Sequence, residues 1–266
     1  MAKENVNELV DKLTLFDDDL MSRVFDNNIE ATELMLRIIL GRNINVISVI
    51  GQDEIKSHEV GGRNITLDVH AIDVNGDEID IEVQGNSAGA HIRRARYHSS
   101  MVDSKMLDEG QEFRQLKDSY IIFIYKHDKF RKGLPVYHID RYIRETEELF
   151  DDGSHIIYVN GNYKGNDEIG QLMNDFRQTD SDKIHYAALA KGVKHFKDTE
   201  KGREQMCEAV EKYAKEYAKE YAVKEKMISV KNLMENMKLT VDQALNALGI
   251  QGDERKTIIN QLQNRN

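Results

Sequence analysis

The sequence is poor in the residues that build disulfides, rigid turns and membrane spans. Its 266 residues include one cysteine, Cys207, one proline and no tryptophan. A lone cysteine excludes an internal disulfide and a cysteine-based zinc cluster, so a bound metal would need oxygen or histidine ligands. Neither the apolar run of about 18 residues that a membrane span requires nor the apolar centre of a signal peptide is present. We therefore expect a cytoplasmic protein that does not enter a membrane.

Positive charge is also in deficit. The chain has 37 Lys and Arg against 47 Asp and Glu, a formal net charge of −10. This balance does not favour general nucleic-acid binding, which depends on cations that contact phosphates. Residues 93–96 and 126–132 are locally basic. Because such clusters are usually solvated surface, neither one alone indicates a nucleic-acid surface.

The apolar pattern predicts an α/β protein. Residues 19–40 have a helical period with a possible break at Asn27-Asn28, and residues 90–108 form a second helical segment. Strands are predicted at residues 46–50, 65–74, 79–84, 120–125 and 155–159. We expect a core over residues 14–165, with a mixed central sheet flanked by helices, and a helical C-terminal region over residues 166–266.

The C-terminal region is predicted to contain a long helix and a terminal helical hairpin. Residues 211–222 nearly repeat every four positions, which keeps their tyrosines on one helical stripe and suits a partner-packing helix. Homo-oligomerisation through these helices is therefore possible. In the hairpin, Thr240 can cap the first helix, Gly249 can end it and Asp253 can start the second. The hairpin resembles a helix-turn-helix, but DNA binding there is the weaker alternative because many helical hairpins share the pattern.

The most informative stretch is the predicted hairpin over residues 65–84. Alternation places Asp68 and His70 on the polar face of the first strand, and Glu82 and Gln84 on that of the second. A two-residue turn would pair Asp68 with Val83 and set apolar residues opposite polar ones. A three-residue loop, residues 74–76, with Gly76 in the left-handed conformation keeps the apolar rows together, with Leu67 beside Val69 and Ala71. It also places Asp68 opposite Glu82, with Cα atoms about 5 Å apart.

Two carboxylates at this distance repel each other unless a cation lies between them. The hairpin therefore predicts a metal site at Asp68 and Glu82. The alternative is an ordinary hairpin whose polar face is solvated, and the pattern alone leaves it open.

The order of these elements resembles the PD-(D/E)XK nuclease core, and in particular the PD-(D/E)XK nuclease family transposases, also called recombination-promoting nucleases. The resemblance covers roughly residues 14–197 and implies that the expected core with its mixed sheet is a restriction-endonuclease-like core. Residues 67–69 and 81–84 look like the family's L-D-V and I-E-x-Q strands, and residues 89–100 look like its K-R-A-R-Y-Y-S-S helix, with Arg93 at the Lys position and His98 at a Tyr. Further similar segments are residues 19–25, 120–124, 133–139 and 153–161.

The resemblance implies a metal-dependent DNA endonuclease that hydrolyses phosphodiester bonds and is linked to DNA recombination or mobility. Asp68 and Glu82 would hold Mg²⁺ or, as a substitute, Mn²⁺, with the carbonyl of Val83 as a further candidate ligand. Gln84 occupies the position of a lysine in the wider superfamily. Since an amide carries no charge and is a poor general base, we expect Gln84 to orient the water by hydrogen bonds.

Two residues of the first helix extend the expected site. Asp19 is a candidate for the catalytic metal shell and Arg23 for phosphate binding, although an N-cap and a surface cation explain them as well. Residues 19–25 also depart from the family signature, because Ser22 and Arg23 replace Phe and Lys. Glu33 is a weaker candidate for the first acidic position.

The helix after Gln84 supplies the expected nucleic-acid contacts, Arg93, Arg94 and Tyr97. Tyr97 could instead pack into the core, and His70 could border the site without acting in it. Two other functions stay open: a DNA-binding protein on a catalytically decayed nuclease scaffold, and a non-catalytic oligomerising protein.

Overall fold

A computed structural model describes residues 3–57, 61–86 and 89–263. The chain divides into two compact units, Met1–Cys207 and Glu208–Asn266. The functional boundary expected after residue 165 stays a prediction.

Three helices open the first unit: α1 (Lys3–Lys12), α2 (Asp18–Phe25) and α3 (Ile29–Leu40). The break predicted at Asn27-Asn28 is confirmed. Asn27 has a φ of 54°, and the Asn28 side chain caps α3 by accepting a hydrogen bond from the Ala31 N–H at 3.2 Å. The chain therefore turns between the two helices and packs both α2 and α3 against the first strand.

The first unit contains a mixed sheet. Its strands are β1 (Val46–Ile55), β2 (Ile65–Asp73), β3 (Glu78–Gln84), β4 (Ser119–Tyr125) and β5 (Val136–Ile139), followed by the separate pair β6 (Tyr142–Ile143) and β7 (Glu148–Leu149), and by β8 (Ser154–Asn160). The six-stranded order is β1-β2-β3-β4-β8-β5, in which β3–β4 and β4–β8 are parallel and the other pairs antiparallel. The predicted α/β fold with a mixed sheet flanked by helices is confirmed. The edge strand β5 was not predicted.

Helix α4 (Ile92–Met106) makes the crossover between β3 and β4 and packs on the sheet. An apolar cluster fills this layer, and its members include Leu67, Ile121, Phe123, Tyr158 and Met101. Phe123 pairs with Glu82 in the parallel register, so α4 covers the face of the sheet that carries Glu82.

The β2–β3 hairpin has the predicted register. The Asp73 N–H donates to the Asp77 carbonyl at 3.1 Å, which leaves residues 74–76 as a three-residue loop. Gly76 has a φ of +85°, the left-handed conformation that favours glycine. The paired positions are Val69 with Ile81, His70 with Asp80, Ala71 with Ile79, and Ile72 with Glu78.

One part of the predicted alternation is wrong. Leu67 does not continue the row of Val69 and Ala71, because it packs in the apolar cluster with α4 and Phe123. On the neighbouring strand β1, Gln52 lies between the partners of Val69 and Leu67 and has a φ of 56°. This left-handed residue interrupts the regular alternation of the paired strands opposite Asp68.

Helices make up the rest of the chain: α5 (Glu168–Phe176) and α6 (Ala187–Asp198), the long α7 (Glu200–Met237), and the pair α8 (Val241–Ala247) and α9 (Gly252–Gln263). Thr240 caps α8 by accepting the Gln243 N–H at 3.2 Å, and Gly249 follows the helix with a φ of 66°, as predicted. The tyrosine stripe over residues 213–221 lies outside the described side chains, and oligomerisation through it stays a prediction. No helix in the described ranges is long and apolar enough to cross a membrane.

Candidate active site

Asp68 and Glu82 lie together where the β2–β3 ladder ends. The Asp68 N–H donates to Glu82 Oε1 at 3.1 Å, and the Val83 N–H donates to Asp68 Oδ2 at 2.9 Å. Each carboxylate therefore accepts a backbone hydrogen bond from the other strand, one step beyond the last regular pair, Val69 with Ile81. Asp68 is 6% exposed and Glu82 is fully buried. The hairpin thus fixes two carboxylates against each other in a site with little water.

A third acid, Asp80, shares the face of Glu82 and is also fully buried. Its Oδ1 atom has no hydrogen-bond partner in the described part of the chain. Burial raises the pKa of Asp80 well above its ordinary value, and the charge of Asp68 adds to the effect. The sequence analysis missed this residue, although the alternation in Asp80-Ile81-Glu82 already places both acids on one face.

The negative charge of each acid in this group makes a neighbouring acid harder to ionise. Burial raises the pKa of Asp68 well above its ordinary value, with a further contribution from the charge of Glu82. Burial, together with the charge of Asp80, raises the pKa of Glu82 from 4.5 to about 8. The three acids therefore hold an excess of negative charge, which favours the uptake of protons or of a cation.

Helix α4 supplies one positive charge. Arg94 Nη2 donates to Glu82 Oε2 at 2.5 Å, and Arg94 Nη1 donates to Gln84 Oε1 at 3.2 Å. Gln84 Nε2 also donates to Glu82 Oε2, at 3.2 Å. Gln84 thus contacts both the guanidinium group of Arg94 and the carboxylate of Glu82.

His98 joins this network from the next turn of α4. Arg94 Nε donates to His98 Nε2 at 3.2 Å, so the proton of a neutral ring is on Nδ1, which lies 2.8 Å from Asp80 Oδ2. Burial lowers the pKa of His98, which favours the neutral ring. One ligand atom each from Asp80, Glu82 and His98 lies within 4.8 Å of the others, an arrangement that can hold a metal ion. Sequence reasoning noted His98 only as a departure from the family helix; its spacing of four from Arg94 was the available signal.

A cavity of about 670 Å³ opens beside Asp68. Its lining is mostly polar and basic, and includes Asp18, Arg63, Arg93, Arg94 and Tyr97. The Tyr97 hydroxyl donates to the Arg63 carbonyl at 2.7 Å, so Tyr97 is held at the wall with its ring against the apolar cluster. The cavity thus brings the predicted residues Arg93, Arg94 and Tyr97 beside Asp68, whereas Glu82 and Asp80 are not among its lining residues.

Other predicted residues lie away from this cavity. Asp19 and Arg23 are half-buried on α2 and are not among the lining residues, whereas the exposed Asp18 is. Glu33 accepts the Val46 N–H at 2.9 Å, at the start of β1. His70 is buried between Asp53, 2.7 Å from its Nδ1, and Glu78, which contacts its Nε2. The structure does not bring Asp19, Arg23, Glu33 or His70 to the cavity.

Comparison with known proteins assigns the chain to a family. The sequence profile of the PD-(D/E)XK nuclease family transposases matches residues 25–245. A search of curated proteins and a search of solved structures found no match. The matched range includes the hairpin that carries Asp68 and Glu82, the crossover helix α4 and the parallel strands that follow. The chain therefore belongs to the PD-(D/E)XK nuclease family transposases.

Proposed function

We propose that this protein is a metal-dependent DNA endonuclease that hydrolyses phosphodiester bonds, with Asp68 and Glu82 as metal ligands. The observation that carries the proposal is the pair of buried carboxylates, each fixed by a backbone N–H of the opposite strand at about 3 Å. Rigid placement of metal ligands is what a catalytic metal site requires.

The residues present fit a divalent cation. Three buried acids face one guanidinium group and a neutral imidazole, and Asp80 Oδ1 has no partner among the described residues. Carboxylate oxygens are the ligands of Mg²⁺, and Mn²⁺ tolerates the same donors and also imidazole nitrogen. Bound there, the cation would offset charge on the phosphoryl oxygens and lower the pKa of a water molecule.

The side chains of the protein supply the rest of the chemistry. Arg94, held by Glu82 and Gln84, provides the positive charge that a lysine provides elsewhere in the superfamily, and it can stabilise the negative charge of a phosphoryl group. The Gln84 amide uses one N–H for Glu82, and the other can orient the attacking water.

DNA is the substrate that the cavity suits. Arg63 and Arg93 line it beside Arg94, so cations concentrate at the site although the whole chain carries a charge of −10. Tyr97 offers a hydrogen-bonding and stacking group at the same wall. Asp19 and Arg23 lie on α2 but do not line the cavity, and they are proposed only as outer contacts.

The test is cleavage of supercoiled plasmid with Mg²⁺ or Mn²⁺ by the full chain. Glu82→Gln and Asp68→Asn preserve side-chain size but remove a metal-binding charge, so each should abolish cleavage. Glu33→Gln is the matched control, because it changes an acid that the structure ties to Val46. Undiminished cleavage by Glu82→Gln would overturn the mechanism. DNA binding without cleavage by the unaltered protein would instead favour the decayed-nuclease alternative.

A further inference from the structure

The loop between β4 and β5 carries a dense group of positive charges. Its cations are Lys126, Lys129, Arg131 and Lys132, and its one acid is Asp128. Lys126, Arg131 and Lys132 are exposed, and none of the three forms an ion pair within the described ranges. In a chain with a net charge of −10, this loop is a locally positive surface.

Asp128 fixes the backbone of this loop. Its Oδ1 accepts the N–H groups of Phe130 at 3.1 Å and Arg131 at 2.9 Å, as well as the Tyr137 hydroxyl at 2.8 Å. Its Oδ2 accepts the Gly133 N–H at 2.7 Å. The negative charge is therefore directed inward to the backbone, and the cations point outward from a defined loop.

The loop adjoins the candidate active site. Tyr125, the last residue of β4, pairs with Gln84, and the Lys126 N–H donates to the Gln84 carbonyl at 3.0 Å. On the other side, Phe130 packs edge-on against Tyr158 at 5.5 Å, and the Tyr158 hydroxyl donates to the Ala90 carbonyl at 3.3 Å. The loop is thus connected both to Gln84 and to the start of α4, which carries Arg93 and Arg94.

Arg131 has an unusual backbone conformation for a cation on an exposed loop. Its φ is 56°, in the left-handed region that glycine adopts without strain. A glycine would satisfy the backbone better, so the local fold gives no reason for an arginine there. Among the described residues, Asn27, Gln52, Glu147, Asp151 and Lys238 share this conformation, so it does not by itself assign a function to Arg131. It does mean that glycine can replace Arg131 without backbone strain.

We propose that residues 126–132 form a phosphate-binding loop that holds the DNA backbone beside the scissile bond, with Lys126, Arg131 and Lys132 as the contacts. This inference rests on the proposed nuclease function. Because Asp128 already orders the backbone of the loop, the loop loses less conformational entropy on binding DNA than a flexible loop with the same cations would lose. Duplex DNA, with its closely spaced phosphates, matches several cations on one short loop.

The test measures binding of a fluorescent DNA duplex by anisotropy between 50 and 200 mM KCl, in full chains that carry Glu82→Gln to prevent cleavage. Each cation that contacts a phosphate contributes roughly 0.9 to the slope of log K against log salt. The triple change Lys126→Ala, Arg131→Gly and Lys132→Ala should reduce the slope by roughly 2 to 3 and weaken binding by on the order of 10²-fold near 0.1 M salt.

The matched control removes three exposed cations elsewhere in the first unit, Lys117→Ala, Arg144→Ala and Lys191→Ala, with the same change in net charge. It should leave the slope nearly unchanged. Equal slopes in the loop variant and its parent would overturn the proposal. Arg131→Gly alone guards against a folding defect, because glycine suits the φ of 56°: its thermal midpoint should not fall, while its slope should fall by about 0.9.

Asp128→Ala separates loop geometry from charge. It removes a negative charge, so charge alone predicts tighter binding, whereas loss of the four hydrogen bonds predicts weaker binding. We expect weaker binding; tighter binding would refute the role of the fixed loop. If the parent binds no DNA and the unaltered chain cuts no plasmid, the nuclease proposal itself fails. If both occur and the loop changes have no effect, only the phosphate-binding loop is wrong.

Discussion

The buried acids should make the stability of the metal-free protein depend on pH. Glu82 has a pKa of about 8 in the folded protein against an ordinary 4.5, chiefly because it is buried. Between these values the folded state keeps a proton that the unfolded state releases, so the free energy of unfolding falls as pH rises. The contribution is complete below pH 4.5 and lost above pH 8. It amounts to at most about 5 kcal/mol.

A divalent cation should oppose this loss, because it takes the place of the protons. Asp68 and Asp80 also have raised pKa values, so all three acids change stability in the same direction. Mg²⁺ should therefore raise the unfolding free energy more at pH 8 than at pH 5. At 100 times its dissociation constant, the cation would contribute about 2.7 kcal/mol.

Urea denaturation in EDTA from pH 5 to pH 9 measures the effect. The free energy of unfolding should fall over this range in the unaltered protein and fall less steeply in Glu82→Gln, whose amide does not titrate. Glu33→Gln again serves as the control and should keep the original slope. A metal-free protein that becomes more stable as pH rises, or an unchanged slope in Glu82→Gln, would refute the account of the site.

Three further predictions concern single residues. Asp80→Asn keeps an acceptor for His98 and removes a buried carboxylate whose Oδ1 has no partner among the described residues. Urea denaturation at pH 8 without metal should therefore show a more stable protein, and a less stable one would contradict the assignment. Arg94→Gln should lower the plasmid cleavage rate by about 10² to 10³-fold, because it removes the only guanidinium group in contact with Glu82 among the described residues. An unchanged rate would exclude Arg94 as the substitute for lysine. Gly76→Ala should lower the free energy of unfolding by about 1 kcal/mol, because Gly76 has a φ of +85°, which alanine adopts only with strain. An unchanged free energy of unfolding in urea denaturation would count against this conformation of the loop.

Local rules predict the part of the site that a single hairpin builds. Alternating apolar residues and the requirement for a glycine at positive φ are enough to give the three-residue loop and the pairing of Val69 with Ile81, and hence the approach of Asp68 to Glu82. The same rules fail at Leu67, because the left-handed Gln52 lies on a different strand. Alternation within one strand carries no information about an irregularity in its neighbour.

The rest of the site depends on how α4 docks. A solvated polar face would leave Asp80 as an ordinary surface acid, and its burial follows only from the helix that covers it. Arg94 and His98 reach Glu82 and Asp80 because they lie one turn apart on that helix and point at the sheet. Helical periodicity identifies their shared side, but the depth and rotation of the helix on the sheet are set by tertiary packing. The sequence therefore predicts Arg94 as a nucleic-acid contact but does not predict its hydrogen bond to Glu82.

The position of the basic loop, in contrast, follows from topology. Parallel strands need a crossover of about a dozen residues or more, and a helix of 15 residues, α4, lies between β3 and β4. Two strands joined in this way end at the same edge of the sheet, so the residue after β4 must lie beside the end of β3. The chain continues from that point as residues 126–132, next to Gln84. Composition alone predicts only that these cations are exposed to solvent. The direction of the strands places them at the edge of the sheet near Gln84 and the acids, and the function of the loop can be tested separately from that of the acids.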